Sequence, residues 1–171
     1  MIGKILNKYR YKFWAPERYA RYIGVKIGKG CLISTKNFPS EPYLIEIGDH
    51  VRVAKNVSFF THGGLWSQRK KYSNLDYFGK IKIGNYTYIG EGAYIMPGVT
   101  LGDDVIIGAG SIVTKSVEDG LIVAGNPARV VGKTSDFISK IQNISVPAYG
   151  MNPVQKKDFL LNLDESRFIK K

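Results

Sequence analysis

The chain has 171 residues, 44% of them hydrophobic, which suits one domain with appendages and an ample core. Its 25 lysines and arginines exceed 14 acidic residues for a net charge of +11, favouring an anionic partner such as a phosphate-bearing small molecule, a lipid phosphate or a membrane surface. One cysteine excludes an intrachain disulfide framework, two histidines fit poorly with a three-histidine zinc site, and no nucleic-acid motif accompanies the charge.

In chain order, Ile2, Ile5, Leu6, Tyr9 and Phe13 share one helical face with Lys4, Lys8 and Lys12 interspersed, and Trp14 and Pro16 end the segment. This helix, within an appendage over residues 1–22, is expected to cap the first coil of the repeat domain; its basic amphipathic character also makes it a candidate for membrane contact. No apolar run approaches about 18 residues and the N terminus lacks a signal-peptide core, so a cytoplasmic protein is expected. Hexads then begin at Ile27 with IGKGCL, where Cys31 takes a small-residue position and reads as a packed thiol. Thr35 to Tyr43 interrupts them with FPSEP. The blocks IGDHVR, VAKNVS and FFTHGG come next from Ile47, Val53 and Phe59, and His50 falls at an outward phase. A second insertion, residues 64–80, carries LWSQRKKYSNLDYFGK.

From Ile83 to Glu118 the hexads run without a slip. Ile83, Ile89, Ile95, Leu101, Ile107 and Val113 recur at one phase, Gly84, Gly90, Gly102 and Gly108 follow directly, and Thr87, Ala93, Val99, Val105, Ser111 and Val117 stand four residues on. A period of six matches neither an amphipathic helix nor an alternating strand. Short strands joined by tight corners account for it: the large aliphatic residue points inward, the small one sits near a corner, and Gly or Asn accepts the positive φ of the bend. Such a repeat is the signature of a parallel β-helix whose coils bury a core only by stacking. Near the C terminus, Asn152 and Pro153 read as the N-cap and first turn of a helix through QKKDFLLNL, with Lys156, Lys157, Arg167, Lys170 and Lys171 making a basic tail over residues 133–171.

The hexads, with AGNPARVVGK from Ala124 to Lys133, resemble the hexapeptide-repeat acyltransferases, chiefly the sugar O-acetyltransferases of capsule and exopolysaccharide biosynthesis and the maltose, galactoside and type B chloramphenicol acetyltransferases. The resemblance covers about residues 23–132. It implies an all-β domain, a left-handed parallel β-helix with three hexads per turn, flanked by short N-terminal and C-terminal helices. It also implies acetyl-CoA as acetyl donor, no required metal, and a homotrimer with its sites between subunits.

By the same resemblance His62, where FFTHGG meets the longer insertion, is the general base that takes a proton from an acceptor hydroxyl as that oxygen attacks the thioester directly. Relatives often carry an acidic residue next, whereas Gly63 and Gly64 follow here; Asp76, Glu91 or a backbone carbonyl are the candidates for holding the ring, and a coil amide for the oxyanion. Ala109 and Thr114 would line the pantetheine path, Lys115, Arg129 and Lys133 would meet phosphates, and Tyr88 would stand where relatives carry a tryptophan against the cofactor. Trp66, Tyr72 and Tyr77 could stack on a sugar and Arg69 could hold a phosphate, implying a capsule, O-antigen or exopolysaccharide acceptor. The alternatives are a chloramphenicol or streptogramin acceptor and a noncatalytic β-helix used for assembly.

Overall fold

The computed structural model describes residues 2–169; Lys170 and Lys171 of the basic tail, and the side chains of Ile2 and Lys4, lie outside the described residues. Two helices, α1 (Ile2–Phe13) and α2 (Pro16–Ile23), precede the strands β1 (Lys26–Ile27), β2 (Leu32–Ile33), β3 (Ile45–Ile47), β4 (Arg52–Val53), β5 (Ser58–Phe59), β6 (Ile81–Ile83), β7 (Tyr88–Ile89), β8 (Tyr94–Ile95), β9 (Thr100–Leu101), β10 (Ile106–Ile107), β11 (Ile112–Val113), β12 (Leu121–Gly125) and β13 (Ala128–Lys133).

The strands stack into three ladders: β1-β3-β6-β9, β2-β4-β7-β10-β12-β13 and β5-β8-β11. Every pairing is parallel except that β12 and β13 form an antiparallel hairpin. Register puts Ile83 beside Leu101, Ile89 beside Ile107 and Ile95 beside Val113, a step of three hexads, so the turns β3–β5, β6–β8 and β9–β11 each contribute one short strand to each ladder. The aliphatic residues thereby form three inward columns, and Ile89, Ile95 and Ile107 are fully buried. The small residues lock the corners between them. Buried Thr87 donates to the Gly102 carbonyl at 2.9 Å, and buried Ser111 accepts from the Gly125 amide at 3.2 Å.

Glycine and asparagine do take the positive φ of some corners, but the glycines directly after the aliphatic do a different job. Positive φ falls three residues after most of the aliphatics, at Gly30, His50, Asn56, Tyr86, Gly92, Gly98, Asp104 and Gly110. The glycine directly after the aliphatic serves close approach instead: a Cβ on Gly90 would lie 2.6 Å from the Ala109 amide nitrogen of the next coil. Corners therefore accept non-glycine residues at a local conformational cost, while the inter-coil contacts at Gly84, Gly90 and Gly102 leave no room for a side chain.

The first helix ends at Phe13, before Trp14 and Pro16 as expected, and Pro16 then opens α2 from the N1 position, where its missing N–H costs nothing. Ala20 and Tyr19 of α2 are buried, and Ala20 joins the core cluster with Val25 and Ile27, so α2 closes the first coil. The apolar face of α1 was expected to do this; Ile5, Leu6, Tyr9 and Phe13 are exposed instead. From Ser135 onward the chain forms a second compact unit containing most of α3 (Thr134–Gln142) and all of α4 (Pro153–Leu161). Asn152 caps α4 by accepting from Gln155 at 2.9 Å, and the Gln155 side chain accepts from the Asn152 amide in return.

Candidate active site

The site arises where the coil containing β5 leaves its ladder. Phe59 is buried and stacks on Phe38 with ring centroids 5.4 Å apart, which fixes the strand that delivers the next three residues. Thr61 is fully buried, and its carbonyl accepts from the Gly79 amide at 2.7 Å; His62 forms an antiparallel bridge with Phe78. These contacts pinch the long insertion at its base, so His62 sits on a clamped corner rather than on a free loop.

The shorter insertion stays on the ladder at first: Thr35 is buried and donates to the Val57 carbonyl at 2.7 Å, and Asn37 pairs with Ser58. It then turns through Pro39 and Ser40 to Glu41, which Pro42 and a 3₁₀ turn (Pro42–Leu44) hold in place. Glu41 reaches the imidazole. Its Oε2 lies 2.8 Å from His62 Nδ1 and accepts from the Thr61 hydroxyl at 2.7 Å. Neither Asp76 nor Glu91 has this role: Asp76 pairs with Arg69 at 2.6 Å, and Glu91 accepts from Asn56 at 3.3 Å.

Hydrogen bonds from Thr61 and Ser40, with a further contribution from His62, lower the Glu41 carboxyl from the ordinary 4.5 to about 2 against an opposing desolvation effect. Glu41 is thus an ionised acceptor, so Nδ1 must carry the proton that faces it. In the neutral imidazole this leaves Nε2 with its lone pair free, the form a general base requires. The His62 side chain is 43% exposed and that of Glu41 17%, so the imidazole is accessible and its carboxylate partner is shielded.

A hollow of about 270 Å³ adjoins the pair, bordered by Trp66, Arg69, Asp76 and Phe78. Trp66 is 86% exposed on a 3₁₀ turn (Leu65–Gln68), and Arg69 is tied to Asp76 and to the Ser73 carbonyl at 3.1 Å. Tyr72 and Tyr77 do not line this hollow. The Tyr77 hydroxyl packs onto Gly63 where a side chain would collide, which makes it a prop for the turn after His62. Lys71 lies over the Tyr72 ring at 5.2 Å.

A second hollow, about 430 Å³, lies between the corner after β11 and the β12–β13 hairpin; Lys115 and Arg129 border it over an apolar floor that includes Val117 and Leu121. Among the other expected donor-binding residues, Thr114 and Ala109 are exposed at corners, Tyr88 is exposed on β7 beside Arg52 and Ile106, and Lys133 ends β13 opposite Leu121. None of these four borders the hollow. His50 is exposed and stacks on Tyr86, and Cys31 is half-buried with its thiol 3.1 Å from the Gly48 carbonyl. Among the described residues no group of three or more His, Cys, Asp or Glu could hold a metal ion, and no helix is long and apolar enough to cross a membrane.

A stacked parallel coil thus carries an imidazole–carboxylate pair at one corner and a basic hollow two strands along the same ladder. Residues 80–115 match the bacterial transferase hexapeptide (six repeats) family. The chain is 43% identical to Protein CapG of Staphylococcus aureus over 157 residues, spanning 89% of this chain and 91% of that protein. Among solved structures it is similar to a maltose O-acetyltransferase from Clostridium difficile 630 (31% identity, TM-score 0.54, 68% of this chain and 73% of that one). It is also similar to a galactoside acetyltransferase in complex with coenzyme A (27% identity, TM-score 0.58, 80% and 81%). The chain belongs to the hexapeptide-repeat acyltransferases.

Proposed function

We propose that this enzyme moves an acetyl group from acetyl-CoA to a sugar hydroxyl during synthesis of a bacterial surface polysaccharide, with His62 as general base. The observation that carries the reading is the His62–Glu41 pair, 2.8 Å apart, at the edge of a hollow beside an exposed tryptophan. The acceptor oxygen gives its proton to His62 Nε2 as it attacks the thioester carbon; the imidazolium so formed is stabilised by Glu41, and the tetrahedral intermediate collapses with release of the coenzyme A thiolate. General-base assistance of this kind contributes about 100 to 10,000-fold. A coil amide near His62 is the proposed oxyanion donor.

Acetyl-CoA is assigned to the hollow bordered by Lys115 and Arg129, whose cations suit its phosphates and whose apolar floor suits its arm. That corner lies two strand spacings, about 10 Å, along the ladder from the one that carries His62, which favours an extended donor between the two. Tyr88, Ala109, Thr114 and Lys133 are placed on the donor path of the assembled enzyme, which is proposed to be a homotrimer of left-handed coils with sites between subunits. For the acceptor, Trp66 offers a face for a sugar ring, and the Arg69–Asp76 pair offers both a donor and an acceptor.

Release of free thiol from acetyl-CoA, followed across nucleotide sugars, simple sugars and chloramphenicol, tests the proposal. Turnover with a sugar class is expected. Turnover with chloramphenicol alone would move the acceptor to the antibiotic class, and absence of donor binding would leave the noncatalytic alternative.

A further inference from the structure

The helix α1 is docked the wrong way round for a soluble cap. Its inward side is polar or aromatic-polar: Arg10 donates to the Tyr22 hydroxyl at 2.6 Å and lies over that ring at 4.4 Å. Tyr11 meets Tyr19 edge-on at 5.4 Å, and its carbonyl accepts from Lys36. The other side carries Ile5, Leu6, Tyr9 and Phe13, which are 62%, 45%, 57% and 61% exposed. At 100° per residue these four lie within one narrow stripe, and Tyr9 and Phe13 pack on each other with centroids 4.8 Å apart. Large apolar side chains gathered in one exposed stripe mark an interaction site.

Charge selects what covers it. Residues 1–13 contain Lys4, Lys8, Arg10 and Lys12 and no acidic residue. Lys8 and Lys12 border the stripe on the helical wheel, and Lys12 lies 5.4 Å from the Phe13 ring. A second copy of the chain would bring lysine against lysine along this stripe, whereas anionic lipid headgroups complement it. Twelve residues make a helix about 18 Å long, short for crossing a bilayer but suited to lying in its surface with the apolar side down.

The geometry points to α1 as a membrane-surface anchor that seats Ile5, Leu6, Tyr9 and Phe13 in the interface of an anionic bilayer, with Lys8 and Lys12 against its headgroups. This anchor is independent of the proposed chemistry, since α1 contributes no residue to the His62 hollow.

Co-sedimentation of the full chain with phosphatidylcholine vesicles, with and without roughly 30% phosphatidylglycerol, tests it. Binding to the anionic vesicles, weakened by added salt, is expected. Ile5→Gln with Phe13→Gln should lower the partition coefficient by more than about tenfold. Lys8→Gln with Lys12→Gln should lower it by about fivefold per lysine. Both variants should keep the wild-type melting temperature, because all four side chains are exposed. No partition to anionic vesicles, or partition unchanged in both double variants, would overturn the inference; so would a fall in subunit number in the apolar variant, which would assign the stripe to a second copy.

Discussion

Replacing Glu41 with glutamine probes the support of the proposed base, His62, with little change in side-chain size. In the wild type one carboxylate oxygen takes the Nδ1 proton of His62 and the hydroxyl proton of buried Thr61. Glutamine can turn its amide nitrogen toward Nδ1, which then must accept, so the ring proton moves to Nε2 and the base is lost. The expected fall in kcat is therefore a large part of the general-base factor, about 100-fold or more. Folding stability should drop by about 1–3 kcal/mol, because charge-assisted bonds are lost and the Thr61 hydroxyl loses its best acceptor.

The same carboxylate sets an acid-side signature. Its folded pKa, about 2, lies below the ordinary 4.5, so the unfolded chain takes up the proton first. The stabilisation it provides is complete above about pH 4.5 and drains as pH falls toward 2. Melting temperature against pH should show a shallower acid-side slope in Glu41→Gln than in wild type. Thiol release and thermal melts measure both effects. A variant that keeps kcat within about threefold of wild type and melts with the same pH dependence would refute the assignment of Glu41 as the group that orients His62.

Trp66→Ala should raise the acceptor KM by about two- to tenfold, the worth of one aromatic stack, with little change in the KM for acetyl-CoA. Arg129→Ala and Lys115→Ala should each weaken acetyl-CoA binding by about tenfold or more by calorimetry, and Arg129→Lys should recover only part of the loss, since a lysine cannot reproduce the planar fork. Ile95→Ala removes a fully buried side chain from the third ladder and should cost about 2–5 kcal/mol in denaturant unfolding.

The repeat was legible because stacking imposes one rule on every coil: the residues that set the period are the ones that face inward, so Ile83 to Val113 could be placed from spacing alone. The corner geometry was legible less well. Glycine at the position after the aliphatic suggested a bend, yet the structure needs it for backbone approach between coils and bends three residues after the aliphatic, as at His50, Tyr86 and Asp104. Both demands favour glycine, and composition does not separate them.

At the site, His62 stood out because it closes a regular run of hexads at the edge of an insertion. Its partner did not, because Glu41 lies 21 residues upstream and meets His62 only through the stacking of one coil on another. A signal was present nonetheless: Glu41 is the one acidic residue of the first insertion and stands two residues after Pro39 and directly before Pro42, in a segment stiffened to hold it. The second insertion separated along a line that sequence could not draw. Trp66 and Arg69 border the hollow while Tyr77 packs against Gly63, a difference fixed by the pinch at His62 and Phe78 rather than by residue type. For α1 the helix was readable and its burial was not, since an amphipathic stripe suits a core, a second chain or a bilayer equally.

The central claim is tested most directly by single-turnover transfer of radiolabelled acetyl from acetyl-CoA to a sugar acceptor, comparing wild type with His62→Ala at saturating donor. The account predicts acetylated sugar from the wild type, a rate lower by about 100-fold or more in the variant, and unchanged acetyl-CoA affinity by calorimetry. Equal transfer rates in the two proteins would contradict it.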